Sequence, residues 1–279
     1  MDPALFGDGS DGVSTIASDT VLAAGSASSK QFSSLTVNSG VNLTTAGEIL
    51  IIRVTGTLTI NGTIHVDGKG SLGGAANGLN TTGSTGTDGK AGFAFVVGSA
   101  GHGGGPNPPD DYGNPGGGGG AFLGIGGAGG VQYGPVSQPG LVSNNASGML
   151  PHLQAKATAS LAYLTGAGGG GGGGRPSVPN GGNGGNGGGC LLLLASNIVI
   201  GASGIVSANG TNGIYAGGGG SGGYVALSYG TLTNTGVIRA NGGSGNGGTG
   251  GVNTTPNAPP VDGNGNGGSS GVIRMLHYP

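Results

Sequence analysis

The sequence predicts an all-β fold with non-regular glycine-rich structure, in which short-strand, β-solenoid-like rungs combine with a packed bundle of polyglycine-II helices. Three observations lead to this prediction. Glycine supplies 75 of the 279 residues, 34% of the chain is hydrophobic, and one strand unit recurs along it. So much glycine would by itself predict disorder. The hydrophobic residues oppose that interpretation, because they gather in β-rich runs that can pack against one another.

Residues 1–47 have the pattern of short strands between polar turns. Ser, Thr and Val dominate this region, and Asn38-Ser39-Gly40 is a turn signal. β-Branched residues suit the pleated, half-buried surface of a sheet. The predicted strands are Val13–Ile16, Thr20–Leu22, Phe32–Val37 and Val41–Leu43.

A repeated unit follows, present at Ile51–Gly68, Leu191–Gly210 and Val225–Gly242. Each copy has an apolar strand, a short break, a second strand, a glycine turn, a third short strand and a closing Asn-Gly or Asp-Gly. A fourth copy opens at Gly271. Self-similar strand units predict a solenoid, in which each rung buries its apolar face against the next. The uneven spacing of the copies indicates long insertions that leave from one corner.

Glycine-dominated segments follow the closing residues of the rungs. Six of them have similar length: 116–130, 166–174, 181–189, 217–223, 242–251 and 263–271. An extended glycine chain can adopt the threefold polyproline-II-like helix, whose backbone groups then need partners on neighbouring chains. Asn180, Asn183 and Asn186 recur at every third residue, which would place them on one water-facing edge of such a helix. The alternative is a flexible linker with an accidental spacing.

The prediction divides the chain into three parts. Residues 1–70 form an N-terminal β region with the first rung and serve as an attachment base. Residues 71–189 are a glycine-rich insertion with variable loops. Residues 190–279 alternate β rungs with polyglycine segments.

Composition and motifs exclude several classes of function. The eight basic residues are spread along the chain, whereas a nucleic-acid-binding protein usually carries a basic patch. The single Cys190 excludes an internal disulfide, and no apolar run is long enough to cross a membrane. The N-terminus has no export-signal pattern. We therefore expect no nucleic-acid partner and no membrane insertion.

Catalytic and metal-binding motifs are absent from the sequence, so we expect no enzyme, cofactor or metal. Neither a nucleophile elbow nor a phosphate-binding loop nor a zinc motif occurs. The four histidines lie in unlike contexts without ligand spacing. Asp8-Gly-Ser-Asp11-Gly lacks most ligands of a calcium loop and is interpreted as a polar turn. Asp110 and Asp111 are the only adjacent acids, and a solvated turn suits this Pro-rich stretch better than glycosidase carboxylates.

Loops between the glycine segments are better supplied for binding. Tyrosines fall in or beside these loops in a chain that has no Trp and only 4% aromatic residues. Rigid loops that present Tyr with Asn, Ser and Gly resemble adaptable binding surfaces. The same rings could instead seal the ends of the glycine bundle. The candidate receptor-binding residues are Asp110, Asp111, Tyr112, Tyr133, Tyr163, Arg175, Tyr215 and Asn257.

The opening LFGDGSDG, followed by LTVNSGVNL and TGTLTINGTIHVDGKG, resembles glycine-rich virion proteins of tailed bacteriophages. The alternation of glycine-rich motifs with variable loops is similar to the tail-fibre tip adhesins of T-even-like phages. That resemblance implies packed polyglycine-II helices, loops that bind a host surface protein or glycan, and attachment to other virion proteins of the tail fibre or baseplate. It also implies exposure on the particle, at the tail or fibre tip. Strand rungs interrupt the glycine-rich half here, which departs from that family.

Two other functions stay open at this point. A purely structural virion component, such as a capsid decoration or a fibre cap, would have no receptor. A glycan depolymerase would need a pair of carboxylates.

Overall fold

The structure is a computed structural model that describes residues 3–23, 29–74, 183–214, 217–245, 268 and 270–278. These residues form one short helix, α1 (Pro3–Phe6), and twelve strands. The strands are β1 (Val13–Ile16), β2 (Thr20–Leu22), β3 (Ser29–Phe32), β4 (Ser34–Val37), β5 (Asn42–Thr45), β6 (Ile49–Ile60), β7 (Thr63–His65), β8 (Cys190–Ile200), β9 (Ile205–Ser207), β10 (Tyr224–Asn234), β11 (Val237–Arg239) and β12 (Val272–His277).

The strands form two parallel sheets. The large sheet has the order β1-β4-β6-β8-β10-β12, with β3 also paired to β6, and the small sheet has the order β11-β9-β7-β5-β2. Successive passes of the chain add strands to both sheets, except that the last pass adds one to the large sheet alone, and we call each pass a level. Level one holds β1 and β2, level two β3 to β5, level three β6 and β7, level four β8 and β9, level five β10 and β11, and level six β12.

The three longest strands, β6, β8 and β10, change character halfway. Their first halves are buried on both faces, as in Leu191–Leu194. A parallel strand covered on both sides is expected to be a continuous hydrophobic run. Their second halves alternate, so that Leu58 and Ile60 are buried while Thr57 and Thr59 are half-buried. The predicted break inside each repeat is therefore a change in burial within one continuous strand. In β6 this change coincides with a register shift between Val54 and Thr57.

The main hydrophobic core lies between the two sheets. Side chains of the large sheet such as Leu193 and Ile198 meet Ile64 and Val206 of the small sheet. A second cluster covers the other face of the large sheet, where Leu5 and Phe6 of α1 pack with residues of β6 and β8, and Tyr224 and Ala226 of β10 belong to the same cluster. Burial of apolar area on both faces is the main favourable contribution to this arrangement.

Most strand predictions are confirmed. β1 and β2 have the predicted bounds. The predicted strand Phe32–Val37 is divided at Ser33, where β3 ends and β4 begins. The repeat units correspond to levels three to five, and the fourth copy after Gly271 is β12.

The prediction of a packed bundle of polyglycine-II helices is wrong. The described residues are strand-rich, with two parallel sheets and one helix of four residues. The described glycine-rich segments form neither helix nor strand, and they belong to the levels of the stack rather than to a separate bundle. The physical reason is that the levels themselves supply the partners that a glycine backbone needs. The predicted segments at 116–130 and 166–174 lie outside the described residues.

The water-facing Asn edge is also not found. Asn180 lies outside the described residues, and Asn183 is exposed. The Asn186 side chain turns toward the stack instead, where its Oδ1 accepts a hydrogen bond from the Gly73 backbone N–H at 2.9 Å.

In the part of the chain that the structure describes, no helix has the length and apolar character needed to span a membrane. The three-part division of the chain stays a prediction. In the structure β6 pairs with β8 over ten residue pairs, so strands from the first and third parts lie side by side in one sheet.

Candidate functional site at the tips of the glycine arms

Levels three, four and five each carry a glycine-rich arm. In each arm an outgoing segment leaves the small sheet, and a returning segment leads to the next strand of the large sheet. The outgoing and returning segments are 66–74 with 183–189, 208–214 with 217–223, and 240–245 with 268–271. We call these pairs the first, second and third glycine arm; residue 269 of the third arm is outside the described residues.

Backbone hydrogen bonds hold each arm together. In the second arm the N–H groups of Gly223, Gly220 and Gly217 donate to the carbonyls of Ala208, Thr211 and Ile214, at 2.6, 3.0 and 2.9 Å. The partners step by three residues, and the two segments run in opposite directions. Buried backbone groups in the arm are therefore paired even though no strand or helix forms.

The arms end at three tips, and the two longest connections of the chain begin and end at the first and third of them. The first tip is Gly74 beside Asn183, and the Gly184 N–H donates to the Gly74 carbonyl at 2.8 Å. The second tip is Ile214 beside Gly217. The third tip consists of Gly243 to Gly245 and Gly268, and the Gly268 N–H donates to the Gly243 carbonyl at 2.8 Å. The connections that leave from them are 75–182, 215–216 and 246–267.

Direct hydrogen bonds stack the three tips on one another. The Ile214 N–H donates to the Asn183 carbonyl at 3.0 Å, and the Gly213 N–H donates to the Ser244 carbonyl at 2.9 Å. The Asn212 Oδ1 accepts from the Ser244 N–H at 2.8 Å. All three connections therefore start from one corner of the stack.

Glycine is required at the tips because the backbones approach too closely for a side chain. A Cβ on Gly73 would lie 1.9 Å from the Gly184 carbonyl oxygen, and one on Gly217 would lie 2.2 Å from that of Asn183. A Cβ on Gly213 would meet the Gly217 carbonyl oxygen at 2.1 Å. These contacts fix the relative positions of the arms, and with them the points from which the connections leave.

A ladder of closing residues joins the arms to the small sheet. The Asp67 carboxylate accepts from the Asn209 backbone N–H at 2.6 Å and from the Ser207 hydroxyl at 2.9 Å. One level on, the Asn209 Oδ1 accepts from the Asn241 N–H at 2.8 Å. The sequence marks these residues only as turns after the third strand of each repeat. Their common position in three copies is the signal from which the ladder could have been inferred.

Two exposed apolar side chains flank the corner. Leu72 of the first arm is 55% exposed and Ile214 at the second tip is 52% exposed. Single exposed apolar residues are common on protein surfaces, whereas a contiguous exposed apolar patch often marks a binding site. Neither residue is among the sequence-based candidates, because those candidates are the tyrosines and the charged or amide side chains of the connections.

None of the eight predicted binding residues belongs to the described part of the chain. Their places in the sequence are nevertheless informative. Asp110, Asp111, Tyr112, Tyr133, Tyr163 and Arg175 fall in connection 75–182, Tyr215 in connection 215–216, and Asn257 in connection 246–267. Every candidate thus lies in a connection that starts at this corner.

The described carboxylates serve local structure. Asp8 accepts from the Ser10 N–H at 2.9 Å, Asp11 from the Gln31 N–H at 2.6 Å, and Asp19 from the Asn42 N–H at 2.8 Å. Hydrogen bonds from Ser10 lower the pKa of Asp8, and those from Asn42 lower the pKa of Asp19. Among the described residues, no group of three or more His, Cys, Asp and Glu side chains could hold a metal ion.

The face of the large sheet under α1 carries three buried titratable groups. Burial raises the pKa of Cys190 to about 12 and raises the pKa of Tyr224 as well. Burial also lowers the pKa of Arg53. The thiol and the phenol are therefore neutral at physiological pH, and neither is activated as a nucleophile.

Comparison of the chain with protein-family models, with curated proteins and with solved structures finds no match.

Proposed function

We propose that the chain is a non-enzymatic adhesin of a tailed bacteriophage, exposed at the tail or fibre tip, that binds a host surface protein or glycan through the connections at the tips of its glycine arms. One observation carries the proposal. The connections 75–182, 215–216 and 246–267, which hold all eight candidate residues, leave from one corner of a hydrogen-bonded stack. A rigid scaffold that presents several loops side by side is a common design for binding.

The scaffold suits this role in a second respect. Binding costs less conformational entropy when the ends of the binding segments are already held in place. The hydrogen bonds of 2.8 to 3.0 Å between neighbouring tips fix the ends in the free protein. Leu72 and Ile214 add exposed apolar area at the same corner.

The first test is adsorption. Purified folded protein should bind host cells and compete with phage for attachment. A folded sample that does neither contradicts the proposal.

A second test assigns the binding to one connection. Because Gly74 and Gly184 are joined by a hydrogen bond of 2.8 Å, residues 75–182 can be replaced by a short Gly-Asn turn without separating β6 from β8. We expect this variant to keep its thermal unfolding midpoint and to lose cell binding. The matched control replaces 246–267 in the same way, between Gly245 and Gly268. Full binding by both variants would contradict a role for the long connections.

A purely structural virion role is the second candidate, and the exposed apolar residues at the two ends of the stack favour it. Val13 in β1 and Met275 in β12 are 79% and 47% exposed, so the ends offer surface to neighbouring subunits. Labelling the chain on intact particles separates the two functions. An adhesin must lie at a distal tip, whereas a decoration or cap need not.

A further inference from the structure

Among the described residues, no further level covers the core beyond level six. Residues in one column of the large sheet, Leu50, Leu191 and Val225, are at most 1% exposed, and the next residue in that column, Ile273, is 39% exposed. A second column consists of Ile52, Leu193, Leu227 and Met275. Its first three members have no exposed area, whereas Met275 is 47% exposed. Side chains that point into the core at three levels thus meet solvent at the last.

The strand edges at this end are also open. β12 pairs with β10 on one side, and no described strand pairs with its other side. β11 is the last strand of the small sheet, and Val237 in it is 49% exposed. An open strand edge beside exposed apolar residues is a template for a further strand.

Level one presents a second pair of open edges. β1 and β2 are the first strands of the two sheets, and Val13 and Val21 in them are 79% and 63% exposed. All strand pairs between levels are parallel. A copy that follows another in the same direction therefore continues the parallel pairing, whereas two copies meeting by like ends would not.

The charges at the two ends are opposite. Level one and the segment before it contain Asp8, Asp11 and Asp19, and the Lys30 ammonium of level two lies 3.4 Å from the Asp11 carboxylate. Levels five and six contain Arg239 and Arg274 and none of the described carboxylates. Unlike ends therefore attract each other, and like ends repel each other.

We propose that copies of this chain associate head to tail, with level six of one copy against level one of the next. The contact is heterologous, so that it adds subunits in one direction. Ile273 and Met275 supply the apolar part of the surface, the strand edges supply backbone hydrogen bonds, and the Arg and Asp groups fix the direction. This proposal does not depend on the adhesin function, because it uses the stack ends and not the connections.

Sedimentation of the full chain tests the proposal. The wild-type protein should show a mass above its 25.9 kDa that rises with concentration and falls with added salt. Two charge-reversed variants are needed. One carries Arg239→Glu and Arg274→Glu, and the other carries Asp8→Lys and Asp19→Lys.

Each variant alone brings like charges together and should lose at least about tenfold in association constant. An equimolar mixture of the two variants should regain association, because each contact between one variant and the other joins opposite charges. Lys69→Glu, a charge reversal in the middle of the stack, is the control and should associate like the wild type.

Since Asp8 and Asp19 hydrogen-bond neighbouring turns, the acid-end variant could fail to fold. Met275→Asp then carries the test, because it places a charge on the open apolar end and should abolish association while the circular dichroism spectrum is retained. A wild-type protein that stays monomeric at all concentrations overturns the proposal. The proposal is also overturned if both the Arg variant and Met275→Asp still associate. It is overturned as well if Lys69→Glu abolishes association to the same extent.

Discussion

The Thr211 carbonyl oxygen shows how closely single residues pack in the glycine arms. A Cβ on Gly185 would lie 1.9 Å from this oxygen, and so would a Cβ on Gly243 of the next arm. Both glycines are needed for close approach, and neither for an unusual backbone angle, since their φ angles are not in the left-handed region. Single substitutions here test whether the arms are packed.

Gly185→Val should destabilise the protein, because its side chain would force apart the first and second arms. Overpacking of this kind typically costs about 1–3 kcal/mol, which thermal unfolding would detect as a lower midpoint. Asn183→Ser is the control. It changes an exposed side chain two residues away and should lower the unfolding midpoint only slightly. Equal tolerance of both changes would mean that the segment is a loose linker.

Cys190 makes stability depend on pH at the alkaline end. Burial raises its pKa from 9.0 to about 12, so the thiol ionises in the unfolded chain at a lower pH than in the folded protein. Above about pH 9 the unfolded state binds fewer protons, and stability therefore falls as pH rises, by up to about 1.4 kcal/mol per pH unit.

Urea unfolding at several alkaline pH values measures this effect. Cys190→Ala removes the contribution of the thiol to this pH dependence and leaves the contribution of the Tyr224 phenol in place. We expect the stability advantage of the wild type over this variant to shrink as pH rises above 9. A constant difference between the two proteins would contradict the buried, neutral thiol.

At the scale of elements, the levels share one register but differ in what covers them. Leu193 and Met275 occupy the same column of the large sheet, yet Leu193 has no exposed area and Met275 is 47% exposed. The column alone therefore does not determine how much a residue stabilises the fold. The neighbouring level does.

Leu193→Ala should cost about 2–5 kcal/mol, since it leaves a cavity between two covered levels. Met275→Ala, measured in dilute protein, should cost less than about 1 kcal/mol because solvent already reaches the side chain. Chemical unfolding of the two variants gives both values. Similar losses would show that level six is covered in solution.

The elements also show what sequence reasoning could and could not reach. Alternating apolar residues and the three repeat copies located the strands, because burial on one or two faces leaves a direct pattern. The prediction of a separate polyglycine bundle is wrong. Glycine runs carry no side-chain pattern that distinguishes a separate bundle from segments paired level by level. Leu72 and Ile214 were missed for a related reason. Nothing in a sequence shows that an apolar residue will lie at a corner.

At the scale of the whole molecule, the large sheet joins parts of the chain that are far apart in sequence. β6 and β8 pair over ten residue pairs, although 129 residues separate Ile60 from Cys190. The main core likewise draws on both sides of the long connection. The described chain should therefore unfold as one unit.

A protease site placed within residues 75–182 tests this unity. After cleavage, the two fragments should elute together in native gel filtration and separate only in denaturant, because the β6–β8 pairing and the shared core hold them. The uncut protein with the same inserted site is the control. Separation of the fragments under native conditions would contradict a single cooperative stack.

The stacked tips have a consequence for engineering. In each arm a backbone hydrogen bond of 2.8 to 2.9 Å joins the outgoing and returning segments at, or within two residues of, the points where the connection leaves and returns, so the length and content of the connection are uncoupled from the geometry of the levels. A foreign peptide could replace any of the three without moving a strand. The corner would then act as a display cassette with three adjacent slots, in which combinations of inserted peptides are presented together to one target.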